Sequence, residues 1–253
     1  MHKLVKLNLL SFLVFVFVTA SLVYVLGKMN FSTPFEKPWH LQSSIHEDSL
    51  SQEYLSQFHI KDGHPLNQNL FDSLRTNLFI LVDAWGVPIQ EASLQKEFAL
   101  FENIPHRYAL HQRLANRNVH AERVEFRNDI SQNIYLFGGD SLEYNRQDYI
   151  KEIGFERTLF CQKCSDGLML GKIDSLLQND TLRLIAWTTQ SSRTGDKDSL
   201  RESLRLIADF AARHPDVHIV VQGTHRPILC ESKTRNQYKS HWVPVVILNG
   251  ERK

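Results

Sequence analysis

Short, continuous apolar runs constrain the fold of this chain more than any other feature. Residues 77–82 form one such run, which ends at Asp83, and residues 217–221 form another, which leads into Thr224 and His225. Runs of this length are typical of strands buried on both faces of a parallel sheet. Further strand-like runs lie at 133–137, 157–160, 182–187 and 243–248. Because helical patterns separate them, the sequence predicts an α/β fold of three layers, α/β/α, with a mainly parallel sheet.

Helical periodicity predicts the elements between these strands. Predicted helices cover residues 98–116, residues 144–153 up to Gly154, and residues 166–178. A capping box, Ser199 to Glu202, opens one more helix. Its apolar face is formed by Leu200, Leu204, Ile207 and Ala211. Residues 75–253 are therefore predicted to form the α/β domain.

The N-terminal segment predicts a membrane anchor. No charged residue occurs between Lys6 and Lys28, and residues 9–26 are almost all apolar. A transmembrane helix needs roughly 20 apolar residues, whereas the core of a cleaved signal peptide has about 7–15. The small residues around Ala20 leave cleavage as the alternative, but the apolar run continues beyond them. We expect a single-pass helix within residues 1–28 and a juxtamembrane linker over 29–74. Basic residues precede the span, so the bulk of the chain is expected outside the cytoplasm.

The charge balance argues against one class of partner. Lys and Arg together number 29 and Asp and Glu 28, so the formal net charge is +1. A dedicated nucleic-acid binder usually carries a basic surplus, and we therefore expect no nucleic-acid partner. The predicted anchor makes the membrane itself the expected partner.

The cysteines leave several interpretations open. Cys161 and Cys164 form a C-x-x-C pair, and Cys230 stands alone. Outside the cytoplasm the pair can close a structural disulfide. Two inert thiols and a redox motif are the alternatives, and a zinc knuckle would need a second ligand pair.

Polar residues at strand ends are the candidates for chemistry. Asp83 follows a buried strand, where a carboxylate suits a hard cation. His225 follows the strand at 217–221, and His241 precedes the last strand. Neutral imidazoles are normal ligands of zinc and manganese. The structural alternatives to metal binding are that Asp83 caps a turn and that the two histidines are surface residues. Gly138 and Gly139 likewise suit a tight turn, because glycine adopts positive φ easily.

The order of these motifs resembles the alkaline phosphatase/sulfatase superfamily, and within it the lipoteichoic acid synthase and phosphoethanolamine transferase branch. In that family an acidic metal ligand ends a first strand similar to residues 79–86, and a middle strand is similar to residues 135–140. A late strand ends in Gly-Asp-His, similar to residues 223–225, and a final His is similar to the one at 241. The resemblance covers residues 77–249. It implies one divalent metal ion, zinc, manganese or magnesium, with ligands Asp83, Thr224, His225 and His241.

Two departures from that family pattern weaken the expectation of catalysis. Thr224 stands where the family has Asp, which removes a charge from the metal site. The segment similar to the family's nucleophile region begins with Asn118, which cannot act as an alkoxide nucleophile.

Two functions follow from this resemblance. One is a membrane-anchored, sulfatase-like protein with a degenerate metal site and little catalysis, which acts as a binding or scaffolding module. The alternative is an active, metal-dependent hydrolase or transferase of phosphate or sulfate esters in the cell envelope, with an envelope phospholipid or glycan as substrate. Whether the chain is an enzyme is left open by the sequence.

Overall fold

The computed structural model describes residue 18 and residues 60–61, 70–113, 117–138, 150, 152–162, 164–179, 181–189 and 196–250. The chain divides into two compact units, Met1–Ser44 and Ile45–Lys253, and every element described below belongs to the second. The predicted anchor, apart from residue 18, lies outside the described residues, as does most of the predicted helix at 144–153. No helix in the described ranges is long and apolar enough to span a bilayer. The predicted domain boundaries stay predictions.

Eight strands of the described residues form one sheet, in the order β1-β3-β8-β7-β2-β6-β4-β5. The strands are β1 (Ile60–Lys61), β2 (Asn77–Val82), β3 (His106–Gln112), β4 (Asn133–Gly138), β5 (Arg157–Cys161), β6 (Leu184–Thr188), β7 (His218–Gly223) and β8 (Trp242–Leu248). The predicted strands are therefore confirmed at all six positions. β2 lies in the middle of the sheet and pairs in parallel with β6 and β7.

The sheet is mixed, which corrects the expectation of a mainly parallel sheet. β8 runs antiparallel to both of its neighbours, β3 and β7. The connection from β7 to β8 explains this direction, because its only described helix is Ser232–Arg235, four residues long. A parallel pair requires a crossover of a dozen or more residues, usually a helix that packs on the sheet. Without such a helix, β8 begins at the same sheet edge at which β7 ends and therefore runs in the opposite direction.

The segment predicted as a helix over residues 98–116 contains a strand instead. A helix α1 (Glu91–Phe98) and a single 3₁₀ turn (Ala99–Phe101) come first, and β3 follows at His106–Gln112. The polar residues of β3 imitate a helical pattern, but only Ala109, Leu110 and His111 in its middle are buried. Tertiary pairing with β8 over seven residues decides the conformation, rather than local propensity.

Helices cover both faces of the sheet, as the predicted three layers require. Alternate residues of β2 divide between two cores, with Leu78 and Ile80 in one and Phe79 and Leu81 in the other. The first core also contains buried residues of α1, α3 (Asp166–Asn179) and α4 (Lys197–Arg213). The second contains Ala121 from α2 (Asn118–Glu125).

The residue that caps the N-terminus of α4 differs from the predicted one. Its apolar face, from Leu200 to Ala211, is buried as predicted. The N-cap is Asp196, whose side chain accepts hydrogen bonds from the backbone N–H groups of Asp198 and Ser199. Ser199 then donates its hydroxyl to the same carboxylate at 2.6 Å. The capping interaction is therefore one helical turn closer to the N-terminus than a box at Ser199.

Cys161 and Cys164 form a disulfide between the end of β5 and the start of α3. This bond corresponds to the structural alternative among the interpretations of the C-x-x-C pair. Cys230 has a free thiol.

Candidate functional site

The ends of three parallel strands meet at one edge of the sheet. Asp83 directly follows β2, Thr189 follows β6 and Thr224 follows β7. The ladder continues one step beyond the strands, since Thr189 N–H donates to the carbonyl of Leu81 at 2.9 Å and Thr224 N–H donates to that of Val82 at 3.0 Å. This edge is where open α/β sheets place their binding sites.

Asp83 and His225 form a buried pair at this edge. The Asp83 Oδ1 atom lies 3.6 Å from Nε2 of His225. Both residues are almost fully buried, with 2% of Asp83 and 5% of His225 exposed. Two residues that lie 142 positions apart in the chain are thus brought together.

The hydrogen bonding of His225 determines which atom faces the carboxylate. Its Nδ1 lies 2.7 Å from the backbone carbonyl oxygen of Arg226, and a carbonyl only accepts, so Nδ1 carries a proton. Burial lowers the pKa of His225, although the Asp83 carboxylate acts in the opposite direction. In the neutral ring the lone pair of Nε2 therefore faces Asp83. An imidazole lone pair and a carboxylate oxygen that face each other suit a shared cation.

Two threonine hydroxyls hold the turn that carries Asp83. Thr189 Oγ1 accepts a hydrogen bond from Asp83 N–H at 3.0 Å, and Thr224 Oγ1 accepts one from Ala84 N–H at 3.2 Å. Ala84 has a φ of 55°, in the left-handed region that costs a residue with a Cβ roughly 1–2 kcal/mol. Strain of this kind is retained where the surroundings fix it and is common at functional sites. Thr224 thus positions the turn in addition to any contact with a ligand.

His241 lies at the same edge but is not part of the pair. It precedes β8, and its carbonyl oxygen accepts a hydrogen bond from Arg113 N–H at 2.6 Å. Among the described residues, no group of three His, Cys, Asp or Glu side chains could hold a metal ion. β7 lies between β8 and β2, so β8 and β2 are about 10 Å apart at the usual strand spacing.

Asn118 is the first residue of α2, at the position that the resemblance gave to the nucleophile. It follows the end of β3 by six positions, and its side chain is buried. Its Oδ1 atom has no hydrogen-bond partner among the described residues.

A buried ion pair between Arg113, which directly follows β3, and Glu125, at the end of α2, supports the site, and it was not predicted from the sequence. Arg113 donates from Nη1 to Oε1 of Glu125 at 2.8 Å and from Nη2 to the carbonyl of Gly223 at 3.4 Å. Glu125 Oε1 also accepts from Nε2 of Gln222 at 3.3 Å and lies 3.2 Å from Nε2 of His111.

This buried cluster acts on the site in two ways. The bond to the carbonyl of Gly223 fixes the residue directly before Thr224. The positive charge of Arg113 also contributes to the lowered pKa of His225. Burial lowers the pKa of the Arg113 guanidinium itself, while the Glu125 carboxylate opposes that shift.

Comparison with solved structures identifies the fold. The lipoteichoic acid synthase LtaP from Listeria monocytogenes superposes with a TM-score of 0.52 at 9% sequence identity, over 74% of this chain and 72% of that one. The chain has the fold of a lipoteichoic acid synthase. The fold implied by the motif resemblance is thus confirmed.

Two further structures of this group are similar by the same comparison. One is an alkaline phosphatase superfamily protein from Vibrio parahaemolyticus, with a TM-score of 0.49, 13% identity, and coverage of 69% of this chain and 60% of that one. The other is the C-terminal periplasmic domain of EcEptC from Escherichia coli, with a TM-score of 0.49, 12% identity, and coverage of 70% and 73%. Neither a family model nor a curated protein matches the chain.

Proposed function

We propose that this chain is a sulfatase-like binding or scaffolding module of the cell envelope, with a degenerate metal site and little catalysis. One observation carries the proposal: within the described residues, the site offers two strong metal donors, Asp83 and His225, and no third. Catalytic zinc sites generally use three protein ligands and keep one position open.

The two donors fit a weakly held divalent ion. Asp83 Oδ1 and the Nε2 lone pair of His225 would hold it, with Thr224 Oγ1 as a neutral third neighbour. A separation of 3.6 Å suits two ligands that share an ion at about 2.0–2.2 Å each. When bound, such an ion polarises an ester oxygen. Because Thr224 brings no charge and already accepts from Ala84 N–H, the affinity is expected to be low.

The residues at the start of α2 support the absence of covalent catalysis. Asn118 provides a carboxamide, which is neither deprotonated near neutral pH nor activated as a nucleophile by a metal. Its buried Oδ1 atom is an acceptor without a partner among the described residues. An accepting group there suits a ligand hydroxyl or amide better than the anionic oxygen of an ester.

Two features of the chain support this location. The uncharged run between Lys6 and Lys28 is long enough to anchor it in a membrane. The disulfide between Cys161 and Cys164 suits an oxidising compartment outside the cytoplasm. Protease added to intact spheroplasts should therefore digest the domain, and protection of the domain would contradict this orientation.

The alternative function is an active hydrolase or transferase of phosphate or sulfate esters. The facing pair of Asp83 and His225 and the strained Ala84 turn favour it, because both are typical of working sites. In that case the attacking group would be a water molecule or a hydroxyl from a residue other than Asn118.

Turnover assays distinguish the two functions. The full chain is assayed with p-nitrophenyl phosphate, bis-p-nitrophenyl phosphate and p-nitrophenyl sulfate, each with zinc, manganese or magnesium. His225→Ala removes a metal donor, and Lys172→Gln on the exposed side of α3 serves as the control. We expect the wild type and both variants to show the same background rate. Robust wild-type turnover that His225→Ala abolishes and Lys172→Gln retains would establish the enzyme instead.

A further inference from the structure

A cavity lies beside the loop that carries Asp83. Its volume is about 770 Å³, within the range of about 300–1,000 Å³ that is usual for sites of small organic ligands. Its walls are residues 88–90, α1 with the 3₁₀ turn, the first turns of α4, and residues 236–238. Neither Asp83 nor His225 is among the lining residues, so this cavity is separate from the candidate metal site.

Backbone hydrogen bonds hold the walls of this cavity in place. Ile89 N–H donates to the carbonyl of Gln237 at 2.8 Å, and Lys239 N–H donates to that of Val87 at 2.8 Å. Lys197 Nζ reaches Oε1 of Gln237 at 3.4 Å and connects α4 to the opposite wall. A cavity with fixed walls is largely preformed, which is the usual condition of small-molecule sites.

The lining combines an apolar interior with a positive rim. Pro88, Leu100, Leu200 and the ring of Tyr238 provide apolar surface. The charged residues that line the cavity are Lys96, Glu97, Lys197, Asp198 and Arg201. Of these, the three cations and Asp198 are exposed, and Glu97 is half-buried. Cations therefore outnumber carboxylates, with the cations on the solvent side.

The state of Glu97 increases this positive balance. Burial raises the pKa of Glu97 to about 7, against the opposing effects of its bond from Trp85 and of the Lys197 charge. The carboxyl is therefore partly protonated near neutral pH and contributes less than a full negative charge. Burial also raises the pKa of the Tyr238 phenol to about 12, so that it stays a neutral donor.

We propose that this cavity binds an amphipathic organic anion, with its charged head at the rim formed by Lys96, Lys197 and Arg201 and its apolar body against Leu100 and Leu200. Charge complementarity selects the head, since a cationic head would face three cations. Apolar burial contributes about 25 cal/mol per Å² for the body. The ligand class covers carboxylates and phosphate monoesters, which share a single anionic head.

Trp85 gives this second site a physical connection to the first. Its indole Nε1–H donates to Oε2 of Glu97 at 2.7 Å, and Trp85 is two residues from Asp83. A ligand over Glu97 therefore contacts the hydrogen-bond acceptor of Trp85. The proposal concerns binding in the cavity and stands whether or not a metal ion binds at Asp83 and His225.

Isothermal titration tests the proposal with four probes of the same chain length. Hexanoate, hexyl phosphate, hexan-1-ol and hexylammonium are titrated into the full chain in phosphatidylcholine nanodiscs, with empty nanodiscs as the blank. We expect at least one of the two anions to bind about tenfold or more tightly than the alcohol, as for a charge-assisted hydrogen bond. The comparison of hexanoate with hexyl phosphate shows which head the site accepts.

Variants of the rim provide the matched control. Lys96→Gln with Arg201→Gln removes two exposed cations from the cavity, and Lys172→Gln removes one from an exposed position of α3 that does not line the cavity. The double variant should lose most of the preference for the anion, whereas Lys172→Gln should keep it. Equal affinities for alcohol and anion, tighter binding of hexylammonium, no binding of any probe, or an unchanged preference in the double variant would each overturn the proposal.

Discussion

Replacing Arg113 by Met should strongly destabilise the fold, because it leaves the Glu125 carboxylate buried without its cation. The two side chains are 5% and 0% exposed, and Nη1 donates to Oε1 at 2.8 Å. Removing one partner of a buried ion pair costs about 3–5 kcal/mol. Gln222 and His111 still contact Glu125 in the variant, so we expect a value near the lower end. For a domain of this size that loss lowers the Tm by roughly 6–20 °C.

Urea denaturation followed by tryptophan fluorescence measures the free energy of unfolding. Arg205→Met is the matched control, because the pairs of Arg205 with Glu202 and Asp209 are about half exposed and solvent screens them, so their loss should change stability little. Combining Arg113→Met with Glu125→Gln removes the lone charge but keeps an acceptor for Gln222, and should recover most of the stability. A loss in Arg113→Met no larger than that of the control, or no recovery in the double variant, would refute the reasoning.

Two further predictions concern backbone contact and pH. A Cβ on Gly223 would lie 1.9 Å from the carbonyl oxygen of Trp85, so Gly223→Ala should lower the free energy of unfolding by about 1–3 kcal/mol or more. Gly171 lies in the middle of α3 with open space around it, so Gly171→Ala should raise the free energy of unfolding by about 0.5–1 kcal/mol. Burial raises the pKa of Glu97 in the folded protein to about 7, so the wild type loses stability as pH rises from 5 to 8 and this carboxyl loses its proton. Glu97→Gln has no such proton to lose, so the Tm of the variant minus that of the wild type should increase over the same pH range. Equal effects of the two glycine changes, or a constant difference in Tm across pH, would contradict them.

The central strands could be predicted from the sequence because burial on both faces leaves no ambiguity in their composition. All six residues of each of β2, β4 and β7 are buried, and each strand contains an uninterrupted apolar stretch. β3 could not, because it lies between β8 and the two-residue β1, and its ends carry exposed or half-buried polar residues. The antiparallel direction of β8 could have been predicted, because the sequence between Gly223 and Trp242 has no pattern of a crossover helix.

The candidate site was predictable only in part. Asp83 and His225 could be found because each follows a strand of a parallel pair, and parallel strands end at the same edge. Arg113 and Glu125 could not, because charged residues are normally exposed and their pairing depends on how β3 and α2 pack. Asp196 competed with Ser199 as the helix cap, and both residue types are good caps.

Zinc titration of the wild type, Thr224→Asp and His225→Ala tests the central claim most directly. The claim is that a weak site remains at Asp83 and His225 because the third charged donor is missing. Calorimetry on the full chain should show weak binding by the wild type, binding tighter by about tenfold or more in Thr224→Asp, and none in His225→Ala. Tight binding by the wild type that Thr224→Asp does not improve would contradict the claim, as would binding that survives His225→Ala.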